Sequence, residues 1–240
     1  MTSTAPVETV GSEAAPLLAA EGLAAGYGHV PAIEDIDLEV APGEVVAILG
    51  ANASGKSTTL MALAGLLDPM AGSVSWLGRV CRKPLHVRAR QGMAYVLGDR
   101  GVVTGLSTAD NLRVGMGPVE RALELFPELR PLMKRRAGLL SGGEQKILAL
   151  ARALACGPKV VLADEFSLGL APEVLHRLMD ALAAAADRGT AVVLVEQQVV
   201  HALHFASRAY ILNQGRIIMS GPTSDLLERI DEIETSYLVT

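Results

Sequence analysis

Aromatic side chains are scarce: Phe, Tyr and Trp together make up 3% of the 240 residues. Proteins that hold single-stranded nucleic acid stack bases on such rings inside basic grooves. The two basic runs here, Arg79 to Arg90 and Arg130 to Arg136, have no aromatic residues among them and read as solvated faces. Positive charge is not in excess either, since 21 Lys and Arg against 26 Asp and Glu leave a net charge of −5. That is the wrong sign for a nucleic-acid binder driven by bulk electrostatics. Only two cysteines occur, Cys81 and Cys156, far apart and outside any C-x-x-C pattern, which argues against a disulfide framework and against a zinc site. No run reaches the ~18 consecutive apolar residues that a bilayer span needs. The opening MTSTAPVETVGSEAAP carries acidic residues where a secretory signal wants basic ones. A cytoplasmic chain is expected, with any membrane role borrowed from a partner.

What is present is apolar bulk. Half of the residues are apolar, enough for one packed domain with small attached subdomains. Residues 1–16, rich in Ser, Thr, Ala, Pro and Glu without periodicity, read as a disordered tail ahead of a domain over 17–240. From Leu17 to Val40 short alternating segments predict half-buried antiparallel strands, closed by the turn at Pro42-Gly43. Glu44 to Leu49 is apolar on both faces, like a central strand covered by helices. Similar runs recur at Lys159 to Ala163 and Ala191 to Val195, with a crossover helix predicted over Pro172 to Ala186 between them. The middle, Leu106 to Ala155, reads as mostly helical and is divided by Pro127 and Pro131. A hairpin is expected around Gln214-Gly215, and Ser224 is expected to cap a final helix from Asp225.

Three stretches carry chemistry. Gly50 to Thr58, GANASGKST, joins the buried Glu44 to Leu49 strand to a helix with apolar residues at Leu60, Leu63 and Leu67. It fits G-x-x-x-x-G-K-[ST], a pattern that chance would place in such a chain on the order of once in a hundred sequences. Small residues let the backbone curl so that N–H groups and the helix N-terminus point at a polyphosphate. Lys56 can then reach the terminal phosphates, and the Ser57 hydroxyl can hold magnesium. The second stretch, Val160 to Glu165, is an apolar strand ending in two carboxylates at the edge where open parallel sheets bind ligands. One carboxylate can hold magnesium, directly or through water, while the next can orient and deprotonate an attacking water. In the third, Leu140 to Gln145 (LSGGEQ), Ser141 stands at a helix N-cap with two glycines after it, a second anion-ready helix end.

In this order and spacing, GANASGKST, LSGGEQ and VVLADE resemble the nucleotide-binding domain of ATP-binding cassette (ABC) proteins, from about Leu17 to the C-terminal helix. The resemblance implies an α/β P-loop NTPase fold: a mostly parallel central sheet, an N-terminal antiparallel β subdomain and an inserted helical subdomain at about 100–156. It implies ATP and Mg²⁺ as cofactors. Gly50, Ala51, Asn52, Ala53, Ser54, Gly55, Lys56, Ser57 and Thr58 would form the phosphate cradle, Tyr27 would stack on adenine, and Ser57 and Asp164 would serve the metal. Glu165 would be the catalytic base, with Lys56 and Gln197 beside it, Gln197 standing where the family usually has a γ-phosphate histidine. In that family Ser141, Gly142, Gly143, Glu144 and Gln145 of one domain close on the nucleotide of another. The partners implied are a second ATPase subunit, unlike or identical, and two transmembrane permease subunits at the inner face of the cell membrane, with no nucleic acid. DEFSLGLAP, LVEQQVVHAL and GRIIMSGP resemble the branch serving importers of branched-chain amino acids and related amides, and V-E-Q resembles the smaller of its two unlike ATPase subunits.

Several positions depart from the family pattern. Gly98 stands where a switch-loop glutamine or glutamate is usual, which puts magnesium and water contacts from that loop in doubt. Ala53 replaces a P-loop glycine, Phe166 a proline, and Ala171 an aspartate. His201 is expected inside a helix, where it would not substitute for Gln197. Gly98 and Gln197 leave open a second reading, a nucleotide-binding regulatory subunit that hydrolyses weakly. A chromosome-organising ATPase would need a long coiled-coil insertion, and the 85 positions from Lys56 to Ser141 leave no room for one.

Overall fold

The computed structural model describes residues 15–98, 101–165 and 167–237, so the expected tail at 1–16 falls almost wholly outside the described residues. In chain order the elements are β1 (Leu18–Tyr27), β2 (Val30–Val40), β3 (Val45–Leu49), α1 (Lys56–Ala64), β4 (Ala71–Trp76), β5 (Arg79–Val80), α2 (Leu85–Arg90) and β6 (Met93–Leu97). A helical stretch follows with α3 (Thr108–Arg113), α4 (Val119–Leu125), two 3₁₀ turns and α5 (Gly142–Ala155). The chain then runs through β7 (Val160–Asp164), α6 (Pro172–Ala186), β8 (Ala191–Glu196), α7 (Val199–Phe205), β9 (Arg208–Asn213), β10 (Arg216–Pro222), α8 (Thr223–Leu227) and α9 (Ile230–Ser236).

Two sheets result. The antiparallel one has the order β2-β1-β4-β5, and the larger one β10-β9-β3-β8-β7-β6, parallel except for the edge hairpin β9–β10. The larger sheet is covered on both faces, which is why its strands read as continuous apolar runs. Side-chain alternation divides it into two cores. Val45, Ala47 and Leu49 pack with helices α5 to α7, whereas Val46 and Ile48 pack with α1 and the antiparallel sheet. The same parity places Val161 and Ala163 on the α5–α7 side and Val160 and Leu162 on the α1 side.

The expected mixed α/β fold is therefore present, with the helical stretch inserted between β6 and β7. Two local expectations are corrected, and one pair of strands was not anticipated. Ser224 is not a cap: α8 begins at Thr223 behind Pro222, and the Ser224 hydroxyl donates to Asp225 Oδ1 at 2.9 Å. The segment Ala71 to Val80 supplies two strands that its short, Gly- and Ser-containing sequence did not announce. The basic run Arg79 to Arg90 is not uniformly solvated, because Arg88 is 2% exposed.

Arg88 closes the end of α1. The helix stops at Gly65, whose φ of 76 is left-handed and suits glycine. The Arg88 guanidinium donates to Leu63 O at 2.6 Å, Lys83 O at 2.7 Å and Cys81 O at 2.8 Å. A Cβ at Gly65 would lie 2.9 Å from Arg88 Nε, so the glycine also makes room for this plug. Arg88→Leu leaves three carbonyls without their donor, each worth about 1–3 kcal/mol when buried. The denaturant midpoint should fall by the equivalent of about 3 kcal/mol, and Arg88→Lys should recover little of it, because one ammonium cannot serve three diverging acceptors. An Arg88→Lys midpoint equal to wild type would refute that account.

Candidate active site

The Gly50–Thr58 loop leaves β3 at the C-terminal edge of the parallel sheet and enters α1 directly. Its shape is set by close approaches. A Cβ at Gly50 would lie 2.4 Å from Leu212 O and from Ser54 Oγ, and one at Gly55 would lie 2.5 Å from Ile33 Cγ2. Gly55 is the α1 N-cap at φ 104, a backbone state closed to other residues at ordinary cost. Ala53 holds a left-handed φ of 63, which costs an alanine about 1 kcal/mol that the usual glycine would avoid.

Inside this loop Lys56 is 3% exposed, its ammonium donating to Gly50 O at 2.9 Å and to Ala51 O at 2.8 Å. Burial lowers its pKa, opposed by the charges of Glu165, Asp164 and Glu196 in that order. The N–H groups of Asn52, Ala53, Gly55, Lys56, Ser57 and Thr58 donate to nothing among the described residues. Ser54 Oγ is buried without a hydrogen-bond partner. A fixed cation, a fan of unused N–H groups at a helix N-terminus and an orphaned hydroxyl fit an oxyanion.

Strand parity brings the metal-type donors to this loop. Asp164 follows Val160 and Leu162 onto the α1 side of β7, where Ser57 Oγ donates to its Oδ1 at 3.1 Å. Tyr95, on the same side of β6, donates its hydroxyl to Oδ2 at 3.4 Å. Burial raises the Asp164 carboxyl above its ordinary value and the Glu165 charge adds to this, while the Ser57 and Tyr95 hydrogen bonds and the Lys56 charge oppose it. Burial likewise raises the Tyr95 phenol, helped by Asp164 and by Tyr27. Tyr27 is the exposed last residue of β1. An oxygen pair such as Ser57 and Asp164 suits a hard cation like Mg²⁺.

Glu165 follows at φ 44, a left-handed residue whose amide donates to Val195 O at 3.0 Å. Gly98 lies against it: a Cβ there would be 2.5 Å from Glu165 O and 2.6 Å from Asp164 O. The missing switch side chain is thus explained sterically in this conformation. Behind this end of the sheet, Ser167 N donates to Glu196 Oε1 at 2.9 Å and Ser167 Oγ to Glu196 Oε2, a clasp joining the segment after Glu165 to the one before Gln197. Gln197 is exposed, and His201 lies within α7. Phe166 and Asp99 lie outside the described residues.

The LSGGEQ stretch folds as expected into the N-terminus of α5, with a capping box. Glu144 N donates to Ser141 Oγ at 3.2 Å and Ser141 N to Glu144 Oε2 at 2.7 Å. Gln145 Nε2 donates to Leu140 O at 3.1 Å. The N–H groups of Gly142 and Gly143 have no acceptor among the described residues. Among the described residues no hydrogen bond joins Ser141–Gln145 to the Gly50–Thr58 loop. Tyr95 and the Ser167–Glu196 clasp were not foreseen. A tyrosine alternating with apolar residues on a strand reads as core, and only its register against β7 reveals the carboxylate.

This fold and loop define a P-loop nucleotide-binding domain. The model of the ABC transporter family matches residues 33–167. The high-affinity branched-chain amino acid transport ATP-binding protein BraG of Pseudomonas aeruginosa is 38% identical over 88% of this chain and 95% of its own. The lipopolysaccharide export system ATP-binding protein LptB of Acidithiobacillus ferridurans is 32% identical over 88% of this chain and 92% of its own. A solved nucleotide-free ATP-binding cassette from an ABC transporter superposes with a TM-score of 0.82 at 23% identity, covering 91% of this chain and 96% of that one. The chain belongs to the ABC transporter family. No helix among the described residues is long and apolar enough to cross a membrane.

Asp164 generates a stability prediction. With its folded pKa raised above the unfolded value near 3.8, the folded state holds the proton more tightly. Stability therefore falls as pH rises from that unfolded value through the raised one, and at neutral pH the charged form carries the full cost. Asp164→Asn should raise the ligand-free unfolding midpoint at pH 7 and flatten its acid-side pH dependence. A lower midpoint at pH 7 would show that the charge stabilises the loop instead.

Proposed function

We propose that this chain binds and hydrolyses ATP as one ATPase subunit of an importer for branched-chain amino acids or related amides. In this reading it works at the inner face of the cell membrane with a second ATPase subunit, unlike or identical, on two permease subunits. The observation that carries the reading is the buried Lys56 ammonium, whose only hydrogen-bond acceptors among the described residues are two carbonyls of its own loop, beside unused N–H groups. A buried cation so placed gains most from a multivalent anion.

In this reading the N–H groups of Asn52 to Thr58 and Lys56 Nζ bind the phosphates, and Tyr27 packs on the base. Ser57 and Asp164 hold Mg²⁺, which would neutralise phosphate charge. The Tyr95 hydroxyl keeps Asp164 turned toward Ser57. Glu165 orients a water and accepts its proton, general-base work typically worth about 10²- to 10⁴-fold in rate. Gln197, at the end of β8, supplies an amide to the terminal phosphate. Ser141, Gly142 and Gly143, which make no hydrogen bond to the chain's own loop among the described residues, serve the nucleotide of the second ATPase subunit, and that subunit's equivalent serves this one. Closure of the pair then moves the permeases.

The import assignment is supported by BraG at 38% identity and opposed by LptB at 32%. Uptake of labelled leucine by membrane vesicles carrying the assembled transporter separates the two. A second reading, a regulatory subunit with little hydrolysis of its own, rests on Gly98, which offers no side chain to water or metal.

In the partnered complex Glu165→Gln should lower ATP hydrolysis by about 10²-fold or more with nucleotide binding retained, and Lys56→Ala should abolish retention of ATP. An unchanged partnered rate in Glu165→Gln favours the regulatory reading. Tyr95→Phe should raise the Mg²⁺ concentration for half-maximal ATP binding about three- to tenfold, on the order of one hydrogen bond to a charged group, and lower the ligand-free melting temperature by about 2–4 °C at most. An unaltered Mg²⁺ requirement removes Tyr95 from the site.

A further inference from the structure

At the opposite edge of the parallel sheet, where β7 and β8 begin, lies a cavity of about 260 Å³ that plays no part in the chemistry described above. We propose that it is a second anion site, for a compact multivalent oxyanion of the phosphate class. Arg121 from α4, Lys159 just ahead of β7 and Arg188 just beyond α6 face it, over a floor that includes Leu154, Ala185 and Thr190. Three exposed cationic residues from three separate parts of the chain thus line one cavity, in a chain whose net charge is −5.

None of the three makes an ion pair or a side-chain hydrogen bond among the described residues. Asp187, next to Arg188 in sequence, pairs with none of them. A structural role as caps for the C-terminal ends of α5 and α6 is already filled. Leu154 O accepts from Gly157 N at 3.0 Å, Ala185 O from Arg188 N and Thr190 N at 3.1 Å each, and Ala186 O from Gly189 N at 2.7 Å. These three carbonyls are satisfied by the turns themselves. The Thr190 hydroxyl is likewise committed, donating to Pro158 O at 2.8 Å, which leaves the guanidinium and ammonium groups as the donors on offer.

The backbone makes room for them. Gly157 has φ 64, and a Cβ there would sit 3.3 Å from Arg121 Nη1, so the guanidinium lies close over the α5–β7 turn. Glycine at 92 gives Lys159 the same freedom, since a Cβ there would lie 3.1 Å from Lys159 Cγ. Forked guanidinium donors match the paired oxygens of phosphates. An anion bearing two or more charges can engage more than one of these cations at once. It also ties α4 and the end of α5 to the starts of β7 and β8, and β7 leads directly to Asp164. Occupancy therefore stiffens the join between the helical insertion and the sheet.

The test uses the full chain with Lys56→Ala, so that the first phosphate site is disabled, and inorganic pyrophosphate at constant ionic strength. Melting temperature should rise saturably, by several degrees at large excess. Adding Arg121→Gln and Arg188→Gln should raise the half-saturating pyrophosphate concentration at least about tenfold, as expected for losing charge-assisted hydrogen bonds. Without pyrophosphate that variant should melt no lower than its parent. Absence of a shift, or an equal shift in both proteins, overturns the site. A lower ligand-free melting temperature in the variant shows the cations to be structural partners and overturns it as well. Citrate in place of pyrophosphate should give the smaller shift, and an equal or larger one overturns the phosphate class.

Discussion

The candidate site depends on one electrostatic constraint: a lysine ammonium held out of water in a loop too tightly curled to admit side chains. Gly50 and Gly55 approach a carbonyl, a hydroxyl and a methyl more closely than any Cβ could tolerate, and the resulting bend points N–H groups at the space beside Lys56. Burial works against the charge, as the lowered pKa records. The loop therefore stores an unmet demand for negative charge. Ligand-free stability and ligand affinity are opposed here, the usual relation at a functional site.

The sheet converts that demand into a reaction site through side-chain parity. Because β6 and β7 pair in register, with Tyr95 opposite Leu162 and Leu97 opposite Asp164, the carboxylate and the phenol fall on the face that α1 covers. Asp164 is thereby presented to Ser57, while Glu165 is turned aside at a left-handed φ. Neighbouring carboxylates of one short sequence acquire different surroundings, one hydrogen-bonded and sunk, the other near the Lys56 charge, which separates metal holding from proton transfer in the proposed chemistry.

Much of this was legible in the sequence, for identifiable reasons. The phosphate loop demands fixed residue types at fixed spacing, so Gly50, Gly55, Lys56 and Ser57 stand out without a structure. Ser141 and Glu144 are visible because a capping box is a local device. Tyr95 was not legible, since its role comes from a neighbouring strand. Arg88 was hidden in a basic run whose other members are mostly exposed, and burial of one arginine follows from three carbonyls that only the fold assembles. Arg121, Lys159 and Arg188 are widely spaced in the chain, and no spacing rule connects them. Ser224 misled because a serine ahead of an aspartate imitates a cap, whereas Pro222 had already fixed the start of α8.

The pairing of Ser167 with Glu196 has a mechanical meaning. Glu196 is buried at 4% exposure and grips both the amide and the hydroxyl of Ser167, so the segments that carry Glu165 and Gln197 cannot shift separately without breaking both of these hydrogen bonds. They behave as a single rocker arm. Changes introduced on one side of it will be felt on the other, and the effects of paired substitutions across it will not sum.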